Sequence, residues 1–209
     1  MKITNTLCML TTLLCFSGLA SAADLSYLQK EWALANYQLT GDAQDMRFEQ
    51  LIVAADKSVE SHPNDAELLI WQGIIKSSYA GISGGLSALG LVKDAKKSLE
   101  AAIKIDPDTL KGSAYTSLGA LYYQVPGWPI GFGNDKKARE YLQKALIINP
   151  EGIDPNYFYG EFLVENKEYD AARVVLKKAQ AAPARLDRKI ADEGRRSEVA
   201  LLLSRLAEG

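Results

Sequence analysis

Few residues in this chain could do chemistry, and their spacing argues against most of it. The one histidine, His62, stands in "ESHPND" with no second histidine to share a proton or a metal. Histidine acts as a base only with oriented partners, so its position before Pro63 reads instead as a helix end, where a cation meets free carbonyls. Carboxylates gather at Glu151, Asp154, Glu161, Glu165, Glu168 and Asp170. They lack the alternating oxygen ligands of a calcium loop, and several suit helix caps or solvated faces. Asp154 before Pro155 reads as an N-cap with proline in the first turn, and Asp94 and Asp135 likewise suit helix starts. The glycine-rich stretches "GISGGLSALG" (81–90) and "GWPIGFGND" (127–135) carry no lysine followed by Ser/Thr and follow no strand pattern. They read as turns rather than phosphate loops. No catalytic residue, metal site or cofactor is therefore expected.

The ends of the chain set its expected location. Lys2, an apolar run from Leu7 to Phe16 and the small residues Ala20-Ser21-Ala22 have the form of a secretory signal peptide cut after Ala22. The expected product is periplasmic or secreted, with no membrane insertion after cleavage, since no later stretch could span a bilayer. Removing residues 1–22 leaves 187 residues and takes away both cysteines, Cys8 and Cys15, so no disulfide or thiol nucleophile remains. The charge moves only from -2 to -3, which gives no reason to expect nucleic acid. At 47% hydrophobic, the length suits one domain, residues 23–209.

What would position any functional residue is a repeat. "DAKKSLEAAIKIDP" (94–107), "DKKAREYLQKALIINP" (135–150) and "YDAARVVLKKAQAAP" (169–183) align. Their triads Ala95/Leu99/Ala102, Ala138/Leu142/Ala145 and Ala172/Leu176/Ala179 step by four and three, which puts each set on one helix face. Small alanines allow a neighbouring helix to come close, and Pro107, Pro150 and Pro183 stop each helix. Upstream lie partner helices carrying Gly73, Gly119 and Gly160. The glycine-to-alanine separations are 22, 19 and 12, so the first two units exceed the third by ten and seven residues. Both excesses fall between the helices of a unit and are expected to form loops, 81–92 and 125–134. Leu86, Leu89, Leu91 and Val92 of the first are expected to meet the apolar residues of the second.

Antiparallel helix pairs with Gly/Ala contacts and a terminal proline resemble the tetratricopeptide repeat (TPR), a helix-turn-helix unit of about 34 residues. The resemblance implies an all-α solenoid with units near 24–63, 64–107, 108–150 and 151–183, and a charged capping helix near 186–207 over the end of the stack. The order "GSAYTSLGALYY", Pro/Gly insertion, "DKKAREYLQKAL", "DPNYFYGEFL" is also similar to exported bacterial repeat proteins such as the T component of periplasmic TRAP transporters. That likeness implies a role beside a solute-binding protein.

Helical spacing assigns Tyr115, Leu118, Gly119 and Tyr122 to the face that meets the partner helix. The neighbouring stripe, expected to line the concave groove, carries Ile70, Ile74, Ser77, Thr116, Ala120, Tyr123, Tyr157, Glu161 and Val164. It is mixed and mildly apolar, which suits a peptide or partner helix. Trp128, Ile130 and Phe132 add apolar groups from the second loop. The function expected is a non-enzymatic adaptor holding a protein or peptide in the groove, with the loops setting specificity. The alternative is a ligand-binding accessory component of periplasmic solute transport.

Overall fold

The structure is a computed structural model and describes residues 17–208. Most of the expected signal peptide lies outside the described residues. Its last residues, Ser17–Ala22, form the start of the first helix.

Among the described residues there are nine helices and no strand: α1 (Ser17–Tyr37), α2 (Asp42–Ser61), α3 (Ala66–Ser83), α4 (Gly85–Ile105), α5 (Thr109–Gln124), α6 (Asp135–Ile148), α7 (Ile153–Glu165), α8 (Tyr169–Ala181) and α9 (Lys189–Glu208). Helices α3/α4, α5/α6 and α7/α8 form the closest antiparallel pairs, and each of α1, α3, α5 and α7 also packs on the next odd-numbered helix. The result is a solenoid with the odd-numbered helices on its inner face. Asp65 caps α3, its Oδ1 accepting from the backbone N–H of Glu67 (2.9 Å) and Leu68 (3.1 Å), and Asn134 caps α6 through Lys137 N–H (2.9 Å).

The repeated triads are the spine of the packing. All nine of their side chains are fully buried, and each central leucine lies against the glycine of its partner helix. A methyl on Gly73 would stand 2.6 Å from Leu99 Cγ, one on Gly119 2.5 Å from Leu142 Cγ, and one on Gly160 2.6 Å from Leu176 Cγ. Three pairs therefore repeat one contact: glycine opens the gap, and leucine fills it to crystal-like density.

The first insertion departs from expectation. Residues 81–92 are helical except at Gly84, whose φ of 60° suits glycine, so the excess lengthens α3 and α4 instead of forming a loop. Asp94 consequently lies within α4 rather than at its start. The second insertion is a loop that folds on itself: Gly133 N–H donates to Pro126 O (3.0 Å) and Asn134 N–H to Tyr122 O (2.7 Å). Phe132 turns inward, edge-on to Tyr122 at 5.5 Å, with Lys96 of α4 at 5.6 Å from its ring centroid. The loop thus meets the body of α4, while Val92 is buried in the main core.

Helix α9 does more than cover the end of the stack. Val199, Leu202 and Leu206 join the main core, whereas Ala191 joins a second cluster built on Leu28, Trp32, Phe48 and Trp71. α9 packs on α7, α8 and also α1, so it crosses the mouth of the solenoid and ties its last unit to its first. Gly194 makes the crossing possible, since a methyl there would lie 2.2 to 2.4 Å from the Tyr37 ring. Gly194→Ala is expected to destabilise the fold by about 1–3 kcal/mol through overpacking, read as a lower urea midpoint at unchanged slope. A midpoint equal to or above wild type would show that α9 does not press on α1.

Candidate functional site

Because α9 crosses the mouth, the concave face becomes a partly open chamber of about 830 Å³. Its walls come from α1, α3, α5 and α7, from the connectors before α7 and α9, and from α9 itself. None of α2, α4, α6 or α8 contributes a lining residue.

Of the residues expected to bind a partner, Ile74, Ser77, Thr116, Tyr157 and Glu161 line this chamber together. Ile70 does not: it is 0% exposed, pointing one helical step deeper into the main core, and has no surface to offer. Tyr123 lies beside the chamber and acts through Glu161, to which its hydroxyl donates at 2.5 Å. Tyr157 donates to the other oxygen of the same carboxylate at 2.8 Å. Burial, and then the Glu161 charge, push both phenols well above their ordinary pKa, so they stay neutral donors: Tyr123 ties α5 to α7, and Tyr157 holds the Glu161 carboxylate from within α7. Trp128 and Ile130 stand apart on the loop, 90% and 63% exposed, and Phe132 is spent on Tyr122.

One end of the chamber is an ionic network not evident from local sequence. Asp154 is not a helix cap, since Gly152 occupies that position. Its Oδ2 accepts from Arg185 Nη1 (2.9 Å) and its Oδ1 from Arg195 Nε (3.0 Å). Arg185 also donates from Nε (2.7 Å) and backbone N–H (2.7 Å) to the buried Asp192, which fixes the connector before α9. Arg195 lies 4.3 Å and 4.5 Å from the ring centroids of Tyr157 and Phe158, and its Nη1 donates to Glu198 at 2.7 Å. Tyr37 of α1 donates to the same Glu198. Burial alone would raise the Asp154 pKa, but Arg195 and Arg185 more than offset that and hold it below the usual carboxylate range. For Glu198 the balance goes the other way: burial raises it, with Arg195 opposing.

Aromatic side chains lie beside this network, since Tyr37, bonded to Glu198, meets the Trp32 ring edge-on at 5.7 Å. Trp32 Nε1 donates to Ser78 Oγ (2.9 Å), and the Trp32 ring meets Trp71 edge-on at 5.5 Å. The lining also carries Gln29, Asn36, Ser117 and Asn149, whose side chains form no hydrogen bond among the described residues. Among the described residues no three His, Cys, Asp or Glu side chains cluster to hold an ion. No helix among them is long and apolar enough to cross a membrane.

Stacked antiparallel hairpins with a ligand-sized concave chamber define the class, an α-solenoid. Within that class, residues 86–109 and 132–189 each match a tetratricopeptide repeat family model. Among solved structures it is similar to a thermophilic TPR protein of Thermus thermophilus, with a TM-score of 0.59 over 90% of each chain at 20% identity. That likeness is one of fold. No curated protein matches the sequence significantly. The architecture is a TPR solenoid, and repeats of this kind serve as protein-interaction scaffolds.

Proposed function

We propose that the protein is a non-enzymatic periplasmic TPR scaffold whose partly open chamber holds an extended segment of a protein partner. The observation that carries this reading is the set of uncommitted side chains, Gln29, Asn36, Ser117 and Asn149, that α1, α5 and the connector before α7 bring to the chamber. A side-chain amide offers both a donor and an acceptor, which matches the peptide groups of an extended chain better than it matches an apolar guest. Trp128 and Ile130 offer the same partner a second, apolar contact outside the chamber. The signal-peptide-like pattern of residues 1–22, with Lys2, an apolar run and Ala20-Ser21-Ala22, supports the periplasmic part of the proposal.

A photo-crosslinking residue placed at Ser117 is expected to capture one partner in cells, while the same residue at Val174, on the outer face of α8, captures none. Equal capture from both positions, or none from Ser117, would overturn the scaffold reading. The same purified protein should begin at Ala23, and an N-terminus at Met1 would remove the periplasmic part. The alternative, an accessory ligand-binding component of solute transport, is favoured by one feature: the chamber volume falls within the roughly 300–1,000 Å³ typical of small-molecule sites. Native mass spectrometry of that sample separates the two, since a co-purified small molecule supports the alternative and a bare protein removes it.

A further inference from the structure

Glu161 lines the chamber without a counter-ion. Its Oε1 accepts from the Tyr157 hydroxyl (2.8 Å), and its Oε2 from the Tyr123 hydroxyl (2.5 Å) and the Gln124 amide (3.3 Å), all of them neutral donors. It is only partly buried, and no arginine, lysine or histidine pairs with it among the described residues. A carboxylate has about four lone-pair sites, so Oε1 keeps one to offer. Tyr123 and Gln124 belong to the last turn of α5, where the helix dipole is negative as well.

The surroundings add to this charge instead of cancelling it. Partial burial raises the pKa of Glu165, one turn further along α7, and the charges that act on it through space are those of Glu161 and Asp135. Glu198 of α9 is raised by burial, with Arg195 opposing and Glu161 raising it further. The cations of the lining are engaged elsewhere. Arg185 and Arg195 are each held by two carboxylates, and Arg188 lies over Trp71. Lys111 stands in the first turn of α5, roughly 18 Å along that helix from Tyr123. Carboxylates outnumber cations in the lining by five to four, so the chamber as a whole attracts positive charge. A separate observation points to a bound chain. Trp71 lines the same chamber with a side chain 3% exposed, and its buried Nε1 has no acceptor among the described residues. Buried donors almost always have a partner, and a backbone carbonyl of a bound segment supplies one.

We propose that Glu161, framed by Tyr123, Tyr157 and Gln124, receives a lysine ammonium or arginine guanidinium from the partner segment while Trp71 takes one of its carbonyls, so that the scaffold selects a basic peptide. This rests on the scaffold reading and names the chemistry of its partner. The phenols fix the carboxylate in place before the cation arrives, so little ordering remains to be done on binding. A bare metal ion fits less well, because no three ligating side chains gather there among the described residues. An acidic segment would add to the repulsion that Glu165 and Glu198 already feel from Glu161.

The test is calorimetric titration of the processed full chain with end-blocked hexapeptides that differ only in a central Lys, Gln or Glu, and with putrescine as a free amine. The Lys peptide is expected to bind about tenfold tighter than the Gln peptide, and the Glu peptide most weakly. Added salt should weaken the Lys peptide and leave the Gln peptide unchanged. Glu161→Gln keeps the shape of the side chain and is expected to erase the preference, weakening the Lys peptide by about ten- to a hundredfold and the Gln peptide hardly at all. A merely structural role for Glu161 would weaken both alike. Glu161→Asp, which keeps the charge, is expected to recover part of the preference, and thermal melts check that both variants are folded. Failure of the Lys peptide to bind, equal binding of the Lys and Gln peptides, a preference that survives in folded Glu161→Gln, or putrescine binding tighter than the Lys peptide would overturn the assignment. Capture from Ser117 that persists unchanged in Glu161→Gln would sink the cation receptor and leave the scaffold. Absence of Ser117 capture in wild type would instead sink the scaffold itself.

Discussion

Asp154→Asn is expected to cost about 3 kcal/mol of folding stability in urea at neutral pH. The neutral amide leaves Arg195, whose side chain is only 8% exposed, with Glu198 alone, and strips Arg185 of one of its two carboxylates. Breaking one member of a buried ionic group is expensive because the charge left behind has lost its water without keeping its partner. Asp154 is itself 32% exposed, which places the cost near the lower end for such pairs. The pH dependence has a definite sign. The folded carboxyl lies below its unfolded value of about 3.9, so its contribution is present above that pH and is lost as pH falls through the lower folded value. The stability gap between wild type and Asp154→Asn should therefore be full at about pH 6 to 7 and close progressively below about pH 4. Glu198 acts in the opposite direction: its raised carboxyl favours the fold at pH below the unfolded value, and that benefit is lost as pH rises through the folded one. Comparing the two proteins at each pH cancels the Glu198 contribution to first order. A gap that does not change with pH would mean that Asp154 is not charged against the two arginines.

Leu142→Ala is expected to be as damaging, with a loss of about 2–5 kcal/mol for a fully buried leucine. Gly119→Ala is expected to lose about 1–2 kcal/mol even though alanine is the better helix former by about 1 kcal/mol. The new methyl would sit 2.5 Å from Leu142 Cγ and 3.2 Å from Leu142 N, so a side-chain rotation cannot relieve it and the α5–α6 spacing must yield. The double variant is the sharper measurement. With Leu142 cut back to alanine, the methyl on Gly119 enters space that the leucine has vacated. The combined loss should fall short of the sum by at least about 0.5 kcal/mol in a denaturation cycle. Strict additivity would show that glycine is present for some reason other than Leu142. The same cycle on Gly160 and Leu176 should give a coupling of the same sign, because that contact has the same geometry.

The repeat was legible because its contacts are local and periodic. Steps of four and three identify a helix face wherever the helix ends up, and Ala95, Leu99 and Ala102 are buried together with their counterparts in the later units. The inner stripe was legible to one helical step. Ile74, Ser77, Thr116, Tyr157 and Glu161 line the chamber, but Ile70, on the same stripe, is fully buried in the main core. The two insertions show the limit of counting. Seven and ten extra residues look alike as arithmetic, yet the proline-rich one becomes a loop and the one without proline extends two helices around Gly84.

Taken alone, the sequence determined an all-helical repeat, its small-residue contacts and the scarcity of catalytic groups, since each depends on residue type and short-range spacing. Tertiary structure alone decided that the groove is a chamber. Asp154 meets Arg185 and Arg195 across 31 and 41 residues, Tyr37 meets Glu198 across 161, and Trp71 meets Arg188 across the chamber mouth. No periodicity joins residues that far apart. Their meeting depends on the summed turn of the stacked helices, which brings the last helix back to the first and lays Arg188 over Trp71.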